Sequence, residues 1–210
     1  KKQLDKIYNI SSVVSYPPVS SVMGPVKSKL DKKFIFTCGR IVPDKKLEWL
    51  IRSFSLMENR YPLFVAGHGN EDYISRLELL AKKLNVELVF LGKLTTKDLI
   101  ARYSAAEFFA FPTPGEDFGL VPAESITCGT PCVIWADGSG PTEQIIDHIN
   151  GFTAKPYDIK DFARKMDLII DTKFKTKNRS KILNSAKKFS EGTVKEMFIK
   201  EINKLNLLRP

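Results

Sequence analysis

The stretch from Lys33 to Met57 reads KFIFTCGRIVPDKKLEWLIRSFSLM. Its first part, residues 33–38, is a run of aromatic and β-branched residues, which predicts a strand. Gly39 and Arg40 follow. Residues 45–57 then place Leu47, Leu50, Ile51, Phe54 and Leu56 close to helical period, which predicts a helix that Lys45 begins. A strand, a short glycine-bearing loop and an amphipathic helix make the unit from which parallel sheets are built.

The unit recurs. Strands are predicted at residues 63–66, 86–91, 107–111, 132–135 and 151–154. Helices are predicted at residues 71–84, 96–105, 119–129, 142–147, 159–172, 177–189 and 192–206, the one at 96–105 opened by Thr95. The expected fold is therefore α/β, a Rossmann-like parallel sheet with helices on both faces. Ligands of such sheets bind at the carboxyl ends of the strands. The candidate residues fall there: Gly39 and Arg40, then Gly67-His68-Gly69, then Gly115 and Glu116, then residues 138–141.

The chain has 210 residues, 43% of them hydrophobic, enough to bury one core or two small ones. Its 33 Lys and Arg against 24 Asp and Glu give a formal net charge of +9. That suits an anionic partner, whether phosphate, nucleic acid or a membrane surface, or it is simply a basic surface. Much of the excess follows residue 155, in Lys-rich segments that would suit peripheral docking on an anionic membrane. The basic residues are not interleaved with aromatic stacking groups, so nucleic acid is not an expected partner. Cys38, Cys128 and Cys132 fit neither a disulfide framework nor a zinc set and read as small buried residues in a reducing compartment. No apolar run reaches the roughly 18–20 residues of a membrane span, and a cytoplasmic location is expected.

The stretch GEDFGLVPAE, from Gly115 to Glu124, carries the densest chemistry. Pro122 falls in the first turn of the helix predicted at 119–129, where its missing N–H is harmless. Leu120, Ala123, Ile126 and Thr127 are expected on the inner side. The amides of Gly119, Leu120 and Val121 then point out of a positive helix end, which suits an anion or a hydroxyl oxygen. Glu124, in the second turn, leans back toward the same cavity. The two glutamates read either as acceptors for separate polyol portions of one ligand or as solvated acids complementing the helix dipole. Arg40 and Lys45 read either as a phosphate clamp or as ordinary surface cations. No Asp-x-Asp, no G-x-x-x-x-G-K-[ST] loop and no His pair of metal spacing is present, so no metal or cofactor is expected.

The ordered set of Gly39-Arg40 and Lys45, then Glu116-x7-Glu124 enclosing Phe118-Gly119-Leu120, then GSGPTE at 138–143 and Asn150-Gly151-Phe152, resembles the C-terminal, donor-binding half of the family 4 glycosyltransferases of GT-B fold. The resemblance covers roughly residues 15 to 200, and archaeal mannosyltransferase-like proteins of surface-polysaccharide type are the most similar in pattern. It implies transfer of a sugar, mannose or glucose, from a nucleotide diphosphate donor to a glycan or lipid-linked acceptor, with retention and without metal. It implies a catalytic set of Arg40 and Lys45, on the diphosphate, and Glu116, on the sugar hydroxyls. Gly39, Phe118, Gly119, Leu120 and Val121 would meet the donor, Glu124 would accept from the ribose diol, and the loop near residues 92–94 would lie near the base.

Two departures matter. Lys46 stands where many relatives have glycine. The acceptor-binding N-terminal domain, with its glycine-rich loop and usual catalytic histidine, is missing, and the chain starts at Lys1 without methionine. Residues 1–20 then read as an interdomain linker, residues 21–190 as the nucleotide-sugar domain, and residues 191–210 as a helix whose Met197, Phe198 and Ile202 meet the missing domain. Such a half is expected to be inactive alone. The alternatives are a non-catalytic sugar-nucleotide or interaction module, and another GT-B enzyme such as an epimerase or phosphorylase-like protein.

Overall fold

The structure, a computed structural model, describes residues 2–27, 30 and 33–204. One parallel sheet has the order β3-β2-β1-β4-β5-β6. Its strands are β1 (Ile35–Cys38), β2 (Leu63–Ala66), β3 (Leu88–Gly92), β4 (Phe109–Ala110), β5 (Cys132–Trp135) and β6 (Gly151–Ala154). The helices are α1 (Lys2–Tyr8), α2 (Leu47–Ser55), α3 (Glu71–Lys83), α4 (Thr96–Ala105), α5 (Leu120–Thr127), α6 (Ile159–Asp171), α7 (Phe174–Ala186) and α8 (Glu191–Lys204). Helix α2 packs on α3 and α6, while α5 packs on α4 and α7, so the sheet is covered on both sides. Double cover explains the unbroken apolar strands: every residue of β5 and the first three of β1 are buried, whereas edge strand β3 is only half-buried.

The largest buried side chain, Trp135, packs against Trp49, Tyr157 and Phe162 at ring-centroid distances of 6.1, 6.0 and 4.4 Å. Its indole N–H donates to the Pro112 carbonyl at 2.7 Å, which satisfies the buried polar atom and ties the end of β5 to the loop after β4. Lys175 reaches from α7 to donate to the Ser104 and Ala106 carbonyls, closing the carboxyl end of α4. Thr95 caps α4 by accepting from the Asp98 amide, as expected.

Several boundaries differ from expectation, each for a local reason. The helix expected from Lys45 begins at Leu47. Residues Pro43–Lys45 form a 3-10 turn, and Lys46 stands between turn and helix with φ 51° and ψ 40°. The helix expected at 142–147 is a 3-10 turn, Gly140–Glu143; beyond it the Asn150 side chain accepts from the Ile146 amide at 2.7 Å and diverts the backbone. The helix expected at 177–189 is α7, begun earlier, followed by a 3-10 turn over Lys187–Phe189. Strand β4 is short, although the Glu107 and Phe111 amides still donate to Phe34 and Val133 carbonyls at 2.9 Å. Leu120, expected on the inner side of α5, is 44% exposed, because the inner face is formed by Pro122, Ala123, Ser125 and Ile126.

The described segments before β1 and after α7 make contacts of their own. Helix α1 was not expected; the Asp5 carboxylate accepts from the Ser12 amide and turns the chain after it. Val19 is buried, and its amide donates to the Phe189 carbonyl at 2.8 Å. Tyr16 packs between Phe118 and Phe189, at 5.9 and 5.4 Å. On α8, Val194 is buried, Phe198 and Ile199 are exposed, and Met197 and Ile202 are half-buried. The last two residues of the helix expected at 192–206 lie outside the described residues. Among the described residues no helix is long and apolar enough to cross a membrane.

Lys46 generates a test. A left-handed residue with a Cβ costs roughly 1–2 kcal/mol, and glycine relieves it while losing roughly 0.5–1 kcal/mol of chain entropy. Lys46→Gly is therefore expected to stabilise the fold by about 0.5 kcal/mol, raising the thermal midpoint by about 1–2 °C. A lowered midpoint in thermal denaturation would contradict this.

Candidate active site

Strands β1 and β4 are neighbours, paired at Phe36 and Phe109. The chain leaves β1 toward α2 on one face and β4 toward α5 on the other. A crevice opens where the two part, at the carboxyl ends of the strands. Two adjoining cavities occupy it. The first, of about 240 Å³, is lined by Gly39, Arg40, Lys45, Thr113, Glu116, Gly119, Leu120 and Val121, among others. The second, of about 270 Å³, is lined by His68, Lys93, Leu94 and Glu124, and shares Cys38, Gly39, Arg40 and Val121 with the first.

Eight of the nine candidates thus surround one crevice. The exception is Phe118, which lines neither cavity. Its ring packs against Tyr16 and Phe189, each at 5.9 Å, away from the crevice.

In the first cavity the Lys45 ammonium donates to Glu116 Oε2 at 2.6 Å, with both side chains about three-quarters buried. The sequence assigned these groups to different parts of a ligand; in the structure they meet. The pair holds a cation and a carboxylate at the cavity wall, each with capacity for further partners. Arg40, at the junction of the two cavities, adds a second cation.

The loop bearing Glu116 has no regular structure, and side chains from beyond β5 hold it. Asp137 accepts from the Gly115 amide at 3.0 Å and from the Ser139 amide at 3.0 Å. Burial pushes the Asp137 carboxyl up, but these bonds and that of the Ser139 hydroxyl outweigh it and hold the group below its ordinary value. The Gly140 amide donates to the Glu116 carbonyl at 2.9 Å, and Gln144 donates to the Gly119 carbonyl at 3.0 Å and to that of Phe118. Gly119 ends the loop with φ +70°. The backbone angle calls for glycine, and a Cβ there would stand 3.1 Å from Glu116 Cγ and 3.3 Å from Pro141, close enough that these side chains would have to shift. No side chain caps α5, and its first amides are left to the crevice.

In the second cavity Glu124 accepts from the Tyr103 hydroxyl at 2.8 Å. Burial raises the Glu124 pKa, and the Tyr103 bond pulls it part of the way back. Tyr103 is fully buried and also lies 3.0 Å from Cys38 Sγ. The sequence reading missed Tyr103, Asp137 and Gln144. A signal for the first was present: Ile100 and Tyr103 share the inner face of α4, and a buried phenol needs a polar partner. Nothing local marks the other two.

The arrangement offers Arg40 at the junction of two cavities, with Lys45, Glu116 and the first amides of α5 in one and Lys93 and Glu124 in the other. That is a site for an elongated, polyhydroxylated anion.

The family described as glycosyl transferases group 1 matches residues 21–189. The chain is 29% identical over 219 residues to a serotype-specific mannosyltransferase of Escherichia coli, covering 96% of this chain and 26% of that protein. It is 34% identical over 164 residues to an uncharacterized glycosyltransferase of Methanocaldococcus jannaschii, covering 75% of this chain and 40% of that protein. The chain thus spans well under half the length of these relatives. Among solved structures, a lipopolysaccharide outer core galactosyltransferase superposes with a TM-score of 0.79 at 17% identity, covering 97% of this chain and 59% of the other. An Anabaena protein solved with UDP and glucose superposes with a TM-score of 0.70 at 21% identity, covering 81% and 48%. The fold is that of these GT-B glycosyltransferases. The family match takes in every strand of the sheet and both cavities, and the chain therefore belongs to the glycosyl transferases group 1 family.

Proposed function

We propose that this chain is the donor-binding part of a retaining glycosyltransferase that moves mannose or glucose from a nucleotide diphosphate sugar to a glycan or lipid acceptor. The observation that carries the reading is the single crevice with Arg40 at its centre, Lys45 and Glu116 in one cavity and Glu124 in the other. The diphosphate lies along the first cavity up to the junction, where Lys45, the first amides of α5 and Arg40 meet its charge. As the bond to the sugar breaks, negative charge grows on the leaving diphosphate. Cations fixed in place before the reaction stabilise that charge most in the transition state. Arg40 and Lys45, with Lys93 in the second cavity, supply positive charge for the two negative charges of such a donor, which supports a mechanism without metal. The nucleotide diphosphates of solved neighbours such as the UDP-bound Anabaena protein support the donor class.

The sugar lies in the first cavity. Phosphate arriving beside Lys45 gives that ammonium a second anionic partner, and Glu116 turns an oxygen to the sugar hydroxyls. The ribose lies in the second cavity, its diol donating to Glu124. Mannose is favoured by the Escherichia coli relative, and retention by the resemblance to family 4 enzymes. Acceptor binding falls to other parts of the enzyme, so these 210 residues bind donor without turnover.

Calorimetry with UDP and GDP, with a chelator present, tests the reading. Binding is expected to persist without divalent metal. Arg40→Ala and Glu124→Ala are each expected to weaken it at least about tenfold, the scale of a lost charge-assisted hydrogen bond. Loss of binding on chelation, or unchanged affinity in both variants, would overturn it. Glu116→Gln is expected to leave nucleotide affinity within about twofold while removing the added affinity of the nucleotide sugar, a loss of about fivefold. Equal losses for both ligands would place Glu116 elsewhere than at the sugar.

A further inference from the structure

Three groups from three elements form a polar chain beside the second cavity. Cys38 Sγ at the end of β1 lies 3.0 Å from the Tyr103 hydroxyl on α4, which lies 2.8 Å from Glu124 Oε2 on α5. Cys38 and Glu124 line the cavity, and Tyr103 is buried behind them. The proposed function leaves Tyr103 without a role.

The order of donors along this chain is set by chemistry. An ionised carboxylate only accepts, and a phenol has one proton to give. Tyr103 therefore donates to Glu124, and its lone pair faces the Cys38 thiol. Burial pushes the thiol up to about 12, and burial together with Cys38 and Glu124 holds the phenol well above its ordinary value, so both keep their protons. Thiol gives to phenol, and phenol gives to carboxylate. Among the described residues Tyr103 is the hydrogen-bond partner of Glu124, and no other protein group is bonded to that carboxylate. A glutamate has three rotatable side-chain bonds, and without this contact the carboxylate would sample several rotamers at the cavity wall.

We infer that Tyr103 is a positioning residue: it aims the Glu124 carboxylate at a vicinal diol and so sets the preference of the site for a ribonucleotide over its 2′-deoxy form. The inference rests on reading Glu124 as the acceptor for the ribose. A diol spends both hydrogens well only on a carboxylate held in one plane. A site built to bond a hydroxyl discriminates against the ligand that lacks it, because its buried acceptor is then left unpaired.

The test is calorimetry of the chain with UDP, GDP and their 2′-deoxy forms. The wild type is expected to prefer the ribonucleotide. In Tyr103→Phe that preference falls about fivefold or more, while affinity for the deoxy form stays within about twofold. Partial unfolding lowers both affinities alike, so their ratio reports positioning and not stability. Glu124→Asp, which keeps the charge and withdraws it from Tyr103, gives the same loss of preference. With Glu124→Gln in place, adding Tyr103→Phe changes nothing further, because the tyrosine acts through the glutamate. Full retention of the ribose preference in Tyr103→Phe, or losses that simply add, would overturn the inference and leave the ribose reading standing. A wild type that binds both forms equally would remove the ribose reading, and the inference with it, before any substitution is made.

Discussion

Strands β1 and β4 lie side by side and send their chains to opposite faces of the sheet, and the site is arranged around the crevice this opens. The crevice leaves backbone groups at the strand ends without ladder partners, and such groups need others. Across β1, β2 and β3 they find one another: the Gly39 amide donates to the Ala66 carbonyl at 3.0 Å, Gly67 to Gly92 at 2.8 Å, and Ile41 to His68 at 2.9 Å. This stitching needs close approach. A Cβ on Gly67 would stand 1.9 Å from the Gly39 carbonyl oxygen, inside any possible contact. The β1 side of the crevice is thus a rigid backbone surface, with Arg40 displayed on its edge.

The opposite wall is built differently. The loop from β4 to α5 holds its shape through Trp135, Asp137, Gly140 and Gln144, all contributed by β5 and the chain after it. Phe118 extends the same support to Tyr16, before β1, and Phe189, after α7. The backbone that carries Glu116 therefore shares packing with the leading and trailing segments of the chain.

Charge is distributed to match. The surplus of positive charge suggested an anionic partner, but the three cations lining the crevice, Arg40, Lys45 and Lys93, are a small share of it, and the Lys-rich segments after residue 155 lie elsewhere in the chain. The crevice groups are partly enclosed, and a charge there is worth more than on an open surface. Lys45 and Glu116 illustrate this. On a surface such a pair contributes little; half-enclosed, it fixes two side chains at the place where a ligand would engage both.

Much of this was legible in order along the chain. Alternating strand and helix patterns specified a parallel sheet, because doubly covered strands must be apolar throughout. The same patterns put Gly39, Arg40, Lys45, Glu116 and Glu124 at strand ends and one helix start, and proximity followed from the fold class. Pro122 marked the start of α5 through its missing N–H. Other features were decided only in three dimensions. The left-handed Lys46 and the broken helix after Glu143 depend on partners that local propensity does not contain. The Lys45–Glu116 pair joins residues 71 positions apart, and the Tyr103–Glu124 bond joins two helices on one face of the sheet. Periodicity records which side of an element is buried, so the sequence alone determined the sheet and the neighbourhood of the site. A hydrogen bond depends on where a side-chain tip stands after packing, so the tertiary structure alone decided which of those neighbours hold one another.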